Sequence, residues 1–425
     1  LDVRVTVDDM TNPPGELDDT GQPQRSIWPS VYPELLEAIR EERSTIVFAN
    51  SRRLAERICS ELNNLAGEEV ARAHHGSVSR TQRLEIEDAL KRGDLPAVVA
   101  TSTLELGIDM GAVDRVLQVE SPASVASGLQ RVGRAGHRVG ETSRATVYPK
   151  HRGDLVVSTV VADRMRDGLV EETRIPANPL DVLAQQLVAA IAVDDRHVDD
   201  LFDLVRRSAP FANLSRSAFD ATLDMLAGRY PSDLFAELRP RVTWDRLSGD
   251  VTARPGAHRL AVSNPGTIPD RGNFRVTLPD GGRVGELDEE MVYESRQGDV
   301  FVLGSTAWKI TAITHERVEV VPAPGEPAAR MPFWHGDAPG RPLPTGRAVG
   351  QFLRETANGD RDEIRSHLTD DLRLDPNAVT NLFAYLDEQL ESTQVVPSDE
   401  TLVIERFLDE IGDWRIVIHS PLGAK

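Results

Sequence analysis

The chain has 425 residues, 40% hydrophobic and 27% charged, and its 68 acidic against 48 basic residues leave a formal charge of −20. Such a length exceeds one ordinary core and predicts about two to four domains. The composition excludes a fibrous or wholly disordered chain, and the longest apolar run, residues 187–193, falls far short of the ~20 residues that cross a bilayer.

The amino end shows no basic stretch followed by an apolar one and a small-residue cleavage site. A single cysteine, Cys59, forms no internal disulfide, which suits a reducing cytoplasm, and no membrane partner is expected. The acidic balance argues against nucleic acid only as a whole-molecule average, because a groove needs only local positive sign. Lys91, Lys150, Lys309 and Lys425 are the lysines, so the cations are nearly all arginine. Arginine suits bidentate phosphate contacts, although GC-rich codon usage would produce the same bias.

In chain order, residues 1–7 alternate at Val3, Val5 and Val7 and predict a short strand, and residues 8–33, rich in Pro, Gly, Asp and Thr, predict a linker. From 34 to 148 helical and extended patterns alternate, the signature of a mainly parallel sheet with helices on its faces. Strands are predicted at 45–49, 70–74, 97–100, 115–119 and 144–148. Ser51 is placed to cap a helix burying Leu54, Ile58, Leu62 and Leu65; Ser79 and Gln82 form a capping-box pair for the next helix, which Gly93 ends.

Asn178-Pro179 then reads as a helix start, with Leu180, Leu183, Ala184, Leu187, Val188 and Ile191 on one helical face. Two more helices at 197–208 and 215–230, followed by an alternating segment at 241–262, predict a winged helix. Residues 264–321, dense in Gly, Val and turn residues, predict a small antiparallel barrel or curled sheet. A Pro/Gly-rich loop at 322–344 holds Phe333 and Trp334; helical spacing returns at 348–390, and 415–418 reads as a strand.

In an open α/β sheet, ligands bind beyond the carboxyl ends of the strands. There the sequence places Asn50-Ser51-Arg52-Arg53, His75-Gly76-Ser77, Thr101-Ser102-Thr103 and Glu120-Ser121. Each hydroxyl alone is equally a helix cap; their repetition at every strand end suits successive phosphates of one nucleic-acid strand. Gln130-Arg131-Val132-Gly133-Arg134-Ala135-Gly136-His137 sets two arginines three residues apart on one helix face. Both are expected to face a γ-phosphate held by another domain, the arginine-finger arrangement worth ~10³–10⁵ in rate. Leu106-Gly107-Ile108-Asp109-Met110 falls where a turn would join nucleotide and nucleic-acid sites, with Asp109 bonding a ribose or an arginine.

Further along, Trp334 reads either as a base-stacking platform or as a barrel plug, and Ile268 as a wedge between bases or as interdomain packing. Trp308 and Trp244 read as core. His74 and His75 have no cysteine or histidine partners at metal spacing.

The ordered set TIVFANSRR, AHHGSVSR, VVATSTLELGIDM and QRVGRAGHR resembles the second RecA-like domain of superfamily-two helicases. Continued by PKHRGDL, RYPSDLFAELRPRVTWDR, GELDEEMVYES and PFWHGD, the chain is similar throughout to the large helicase-related (Lhr) family. The resemblance implies a multidomain α/β plus α+β fold. Residues 1–33 would be a strand and linker from a preceding RecA-like domain, 34–150 the second RecA-like domain, 151–262 a winged helix, and 263–425 a β-barrel-like domain with helices. It further implies an ATP-dependent 3′-to-5′ translocase on single-stranded DNA, unwinding duplex DNA or RNA:DNA hybrids in DNA repair.

On that resemblance Gln130, Arg131 and Arg134 are catalytic, and Gly107, Asp109, Arg131 and Arg134 bind ATP. Ser51, Arg53, His75, Gly76, Ser77, Thr101, Ser102, Ile268 and Trp334 would meet nucleic acid. An RNA-remodelling motor and a non-catalytic nucleic-acid adaptor are the alternatives. No G-x-x-x-x-G-K-[ST] phosphate loop and no DExH run occurs in the chain, so both, and the Mg²⁺ ligands with them, are expected in a first RecA-like domain ahead of Leu1. The purified 425-residue chain should therefore hydrolyse no ATP; substantial DNA-stimulated turnover by it alone would refute this.

Overall fold

The computed structural model describes residues 1–13, 26–105, 113–136, 142–173, 175–230, 239–264, 266, 273–304, 306–314, 317–323, 330, 340–408 and 414–422. The chain divides into two units, Leu1–Glu171 with Gly272–Lys425, and Glu172–Arg271. Among the described residues no helix is long and apolar enough to cross a membrane.

In the first unit, β1 (Asp2–Val3), β2 (Thr45–Phe48), β3 (Ala71–His74), β4 (Ala97–Ala100), β5 (Arg115–Val119) and β6 (Ala145–Tyr148) form one sheet in the order β1-β6-β5-β2-β4-β3. Every pairing in it is parallel. Around it lie α1 (Trp28–Arg40), α2 (Arg52–Ala66), α3 (Arg80–Arg92), α4 (Val125–Val132) and α5 (Arg152–Arg166). Ile46 and Phe48 share a core with Ile86 and Leu90 of α3 on one face, while Val47 and Ala49 join Leu35, Ile58 and Leu62 of α1 and α2 on the other. Burial on both faces is why these strands read as nearly continuous apolar runs.

Several local readings are corrected. Asp2–Val3 is not the remnant of another domain: Val3 pairs with Val147, extending this sheet. The linker ends earlier than expected, since α1 opens at Trp28 with a proline in its first turn. Leu65 is 51% exposed, close to the Gly67 cap that ends α2. Ser79 does accept from the Gln82 amide, but its own N–H goes to the Val284 carbonyl (3.1 Å), so a tertiary bond replaces half of the capping box. Leu155, Val156 and Val160 of α5 lie in the core of the parallel sheet. The boundary expected at residue 151 therefore falls instead at Glu172.

The second unit comprises α6 (Leu180–Val193), β7 (Arg196–His197), α7 (Val198–Arg206), α8 (Arg216–Leu226), β8 (Val242–Trp244), β9 (Asp250–Ala253) and α9 (Ala257–Ser263). Helices pack around Leu187, Ile191, Leu201, Phe219 and Leu223, and an antiparallel sheet in the order β7-β9-β8 forms the wing. Asn178 is not the cap of α6; it takes a positive φ of 50° and Pro179 occupies the cap position. The alternation expected to run to 262 stops at Ala253, because Pro255-Gly256 turns the chain and Gly256 (φ 90°) starts α9. Trp244 is only partly buried, with the Arg246 guanidinium 3.2 Å from its ring centre.

Back in the first unit come β10 (Asn273–Thr277), β11 (Arg283–Asp288), α10 (Glu289–Glu294), β12 (Val300–Leu303), β13 (Thr306–Ile313) and β14 (Arg317–Pro322). They form a sheet in the order β11-β10-β14-β13-β12 over a core of Val276, Leu287, Phe301, Trp308 and Val318. It is not an antiparallel barrel: β10 and β14 run parallel, and no pairing joins the edge strands β11 and β12 among the described residues. Trp308 is core, and its indole N–H donates to the Leu303 carbonyl (2.9 Å). The chain ends with α11 (Leu343–Asn358), α12 (Arg361–Ser366), α13 (Pro376–Thr393) and a hairpin of β15 (Val403–Leu408) and β16 (Trp414–His419).

This curled sheet is sewn to the loop after β3. The Glu286 N–H donates to the Ser77 carbonyl (2.9 Å), and the Gly304 N–H donates to Glu56 on α2 (2.6 Å). A Cβ on Gly285 would sit 2.2 Å from the Ser77 carbonyl oxygen, so only glycine permits that approach. Gly285→Ala should cost about 1–3 kcal/mol as an overpacking change, seen as a lower urea midpoint; an unchanged midpoint would mean the seam carries no stability.

Candidate functional site

Connections from β2 and β5 lead to opposite sides of the parallel sheet, toward β3 and β6 respectively. Their adjoining carboxyl ends therefore form the topological switch point, where α/β sheets bind ligands. Asn50 stands there, donating to Glu120 (3.3 Å) and to the Ser121 carbonyl (2.6 Å). Glu120 holds a positive φ of 66°, and its carboxylate also accepts from Lys150 (2.7 Å).

The two arginines do not share a face. Arg131, on the last turn of α4, is 4% exposed and points into the sheet end. Its Nε and Nη2 reach the Glu105 carboxylate (2.8 and 2.7 Å), and Nη1 donates to Asn50 (2.8 Å) and Gln118 (2.9 Å). The Phe48 ring lies 5.3 Å away. Burial lowers the guanidinium below its ordinary value, with Glu105 opposing; an arginine keeps its charge regardless. The expectation that Arg131 reaches a phosphate is thus corrected: a neighbouring carboxylate neutralises it inside the domain.

Arg134 stands beyond the helix, in a turn where its N–H bonds to the Arg131 carbonyl (3.0 Å). It is half-exposed, and its guanidinium donates to the backbone carbonyls of Glu105 (2.9 Å) and Gln130 (3.4 Å). Gln130 is exposed. Glu105 is therefore the hub: its side chain takes Arg131 and Ser127 (2.9 Å), and its carbonyl takes Arg134. No sequence pattern marked it, although a lone acid between Leu104 and Leu106 was the available signal. Asn50 and Gln118 were likewise missed as partners. Gly107 and Asp109 lie outside the described residues, as do Ile268 and Trp334.

Of the strand-end residues, Ser51 is half-exposed, and its hydroxyl oxygen accepts from the Leu54 amide as the α2 cap. Arg53 is exposed at the start of that helix, and Gly76 and Ser102 are exposed in their turns, while Thr101 is nearly buried. His75 and Ser77 are corrected: both are buried under the curled sheet. His75 bonds Glu56 (2.8 Å), and the Ser77 hydroxyl accepts from Arg52 (2.8 Å). Buried beside them, His74 bridges Thr103 (2.8 Å) and Glu87 (3.0 Å); burial pulls it below the ordinary histidine value, with Glu87 opposing.

A profile described as the helicase conserved C-terminal domain matches residues 30–139, and one described as the winged helix domain of the large helicase-related protein matches residues 163–330. A Mycolicibacterium smegmatis protein named Lhr helicase/probable uracil glycosylase is 54% identical over 462 aligned positions, covering 100% of this chain and 30% of that protein. This chain belongs to the large helicase-related family. An Escherichia coli Lhr helicase/uracil glycosylase is 48% identical, over 94% of this chain and 28% of its own length. The ATP-dependent helicase Lhr-Core of Sulfolobus acidocaldarius is 32% identical, over 93% and 46%.

The solved structure of Mycobacterium smegmatis helicase Lhr bound to ssDNA and AMP-PNP superposes with a TM-score of 0.74 at 51% identity, over 99% of this chain and 50% of that one. The chain thus spans between about a quarter and half of these relatives' length.

The two arginines should separate in a denaturation experiment. Arg131→Ala strands a nearly buried Glu105 carboxylate and should cost about 3–5 kcal/mol, whereas Arg134→Ala should cost about 1 kcal/mol or less. Equal losses would contradict the inward and outward division.

Proposed function

We propose that this chain forms the arginine-bearing side of an ATP-dependent helicase that moves 3′-to-5′ along single-stranded DNA and unwinds duplex DNA or RNA:DNA hybrids, in DNA repair. The observation that carries the reading is the half-exposed Arg134 beside the switch point of the parallel sheet, held through Glu105 to the turn that follows β4. Polarity, hybrid unwinding and the repair role rest on the family resemblance.

ATP supplies the phosphoryl transfer; a first RecA-like domain would hold its phosphates and Mg²⁺. What this chain contributes is a positioned cation. Arg134 is the group placed to stabilise charge on the transferring phosphoryl. Arg131 positions it indirectly, by fixing the end of α4 against Asn50, Gln118 and Glu105. Gln130, exposed one turn before Arg134, stays available to the same cleft.

For the nucleic-acid strand, the candidates are the exposed Arg53 and half-exposed Ser51 at the start of α2, Gly76 in the β3 turn and Ser102 after β4, with Thr101 contributing backbone. Helix amino ends and a guanidinium are what phosphate oxygens need. Glu105 lies three residues from Ser102, so the turn that meets the strand and the carbonyl that holds Arg134 belong to one short segment. That is a physical route by which strand and nucleotide sense each other.

In the full-length protein, Arg134→Ala should reduce strand-stimulated ATP hydrolysis by ~10³-fold or more while leaving single-strand affinity nearly intact. Equal loss of both would show that Arg134 binds the strand instead.

A further inference from the structure

The amino end of α4 is held from a distance. A helix leaves the N–H groups of its first three residues without an intrahelical partner; here the Ser124 hydroxyl accepts from Ser127 (3.1 Å), while its carbonyl accepts from Gly128 (2.9 Å) as the first rung of the helix. The other two go to one carboxylate: Val125 N–H to Glu171 Oε1 (2.8 Å) and Ala126 N–H to Oε2 (3.1 Å). The Thr345 hydroxyl, 1% exposed on α11, donates to the same Oε1 (2.9 Å). Burial works to raise this carboxyl, but the backbone N–H groups of Val125, Glu171 itself and Ala126, with the threonine, outweigh it and hold it below the ordinary glutamate range.

Glu171 is also the last residue of the first unit before the chain enters the winged-helix unit at Glu172. We infer that Glu171 is a positioning residue: from the chain beyond α5 it clamps the amino end of the helix whose other end sets Arg134. The inference rests on the helicase reading above. With both carboxylate oxygens engaged, α4 can neither slide nor rotate without breaking charge-assisted bonds, and its carboxyl end cannot shift while Arg131 stays locked. Loss of this clamp frees the amino end of α4 and with it the turn that carries Arg134, and an arginine finger tolerates little misplacement.

The test uses full-length protein carrying Glu171→Ala, Glu171→Gln and Thr345→Val, with the exposed neighbour Glu172→Ala as control. Glu171→Ala should lower kcat of strand-stimulated ATP hydrolysis by about 10- to 100-fold with KM for ATP and single-strand affinity unchanged, and should lower the number of duplexes opened per ATP. Glu171→Gln keeps the shape and one acceptor, so it should fall between, and it reads the effect if the alanine variant folds poorly. Thr345→Val should give a smaller loss and Glu172→Ala none.

A lowered melting temperature with normal kcat and coupling in the Glu171 variants would reduce the residue to a plain cap and overturn the inference. So would parallel changes in kcat and KM. A parent protein without strand-stimulated hydrolysis would sink the helicase reading and this inference with it; an active parent with unaltered variants sinks only the inference.

Discussion

The site depends on one nearly buried ion pair, Arg131 with Glu105. Taking both charges out of water is costly, and such a pair persists only where its remaining hydrogen-bonding groups are also met. Here they are: Asn50 from the end of β2, Gln118 from β5 and the hydroxyl of Ser127 complete the shell, and Phe48 covers one side. The pair joins α4 to the ends of two strands and to the turn after β4. Its value lies in geometry rather than net stability, since an apolar pair would fill the volume at less cost but would not set the angle at which the chain leaves α4. That departure angle decides where Arg134 points.

A second constraint comes from the curled sheet. It closes on the loop after β3, where His75 and Ser77 are buried rather than presented at the sheet edge. The same closure gives Glu56 a second donor, the Gly304 amide, beside His75. The parallel sheet and the curled sheet consequently form one unit, with α13 completing the core behind β1 and α5. On the proposed reading, the face left for a nucleic-acid strand would be narrower than a row of four strand ends, concentrated at α2 and at the turn after β4.

Much of the architecture was legible because period and burial agree. Buried parallel strands are apolar on both faces, so 45–49, 97–100 and 115–119 stood out within a residue of their true ends. Ser51 and Gly93 announce helix ends by local chemistry, and they cap as their types suggest. What failed were matters of tertiary partnership. Spacing says that Arg131 and Arg134 are a turn apart; it cannot say that the helix ends between them, sending one inward and the other out. His75 looked like a surface group because its covering strand lies more than two hundred residues later. The domain boundary was misplaced because α5 carries the same apolar spacing whichever core receives it.

The acidic balance gains meaning from the same geometry. Many arginines in the chain are already spent on carboxylates, as Arg115 on Glu41, Arg152 on Glu388, Arg216 on Asp199 and Arg354 on Asp399. With these arginines engaged, a strand on the proposed reading would meet a few well-placed cations and amides rather than a broad basic surface. Few phosphate contacts mean a shallow dependence of affinity on salt, about 0.7 of a log unit per contact for a single strand. On the helicase reading proposed above, weak long-range attraction with strong local positioning is a favourable division: Arg53 and the exposed turns would hold the strand briefly, while the buried Arg131–Glu105 pair fixes the end of α4.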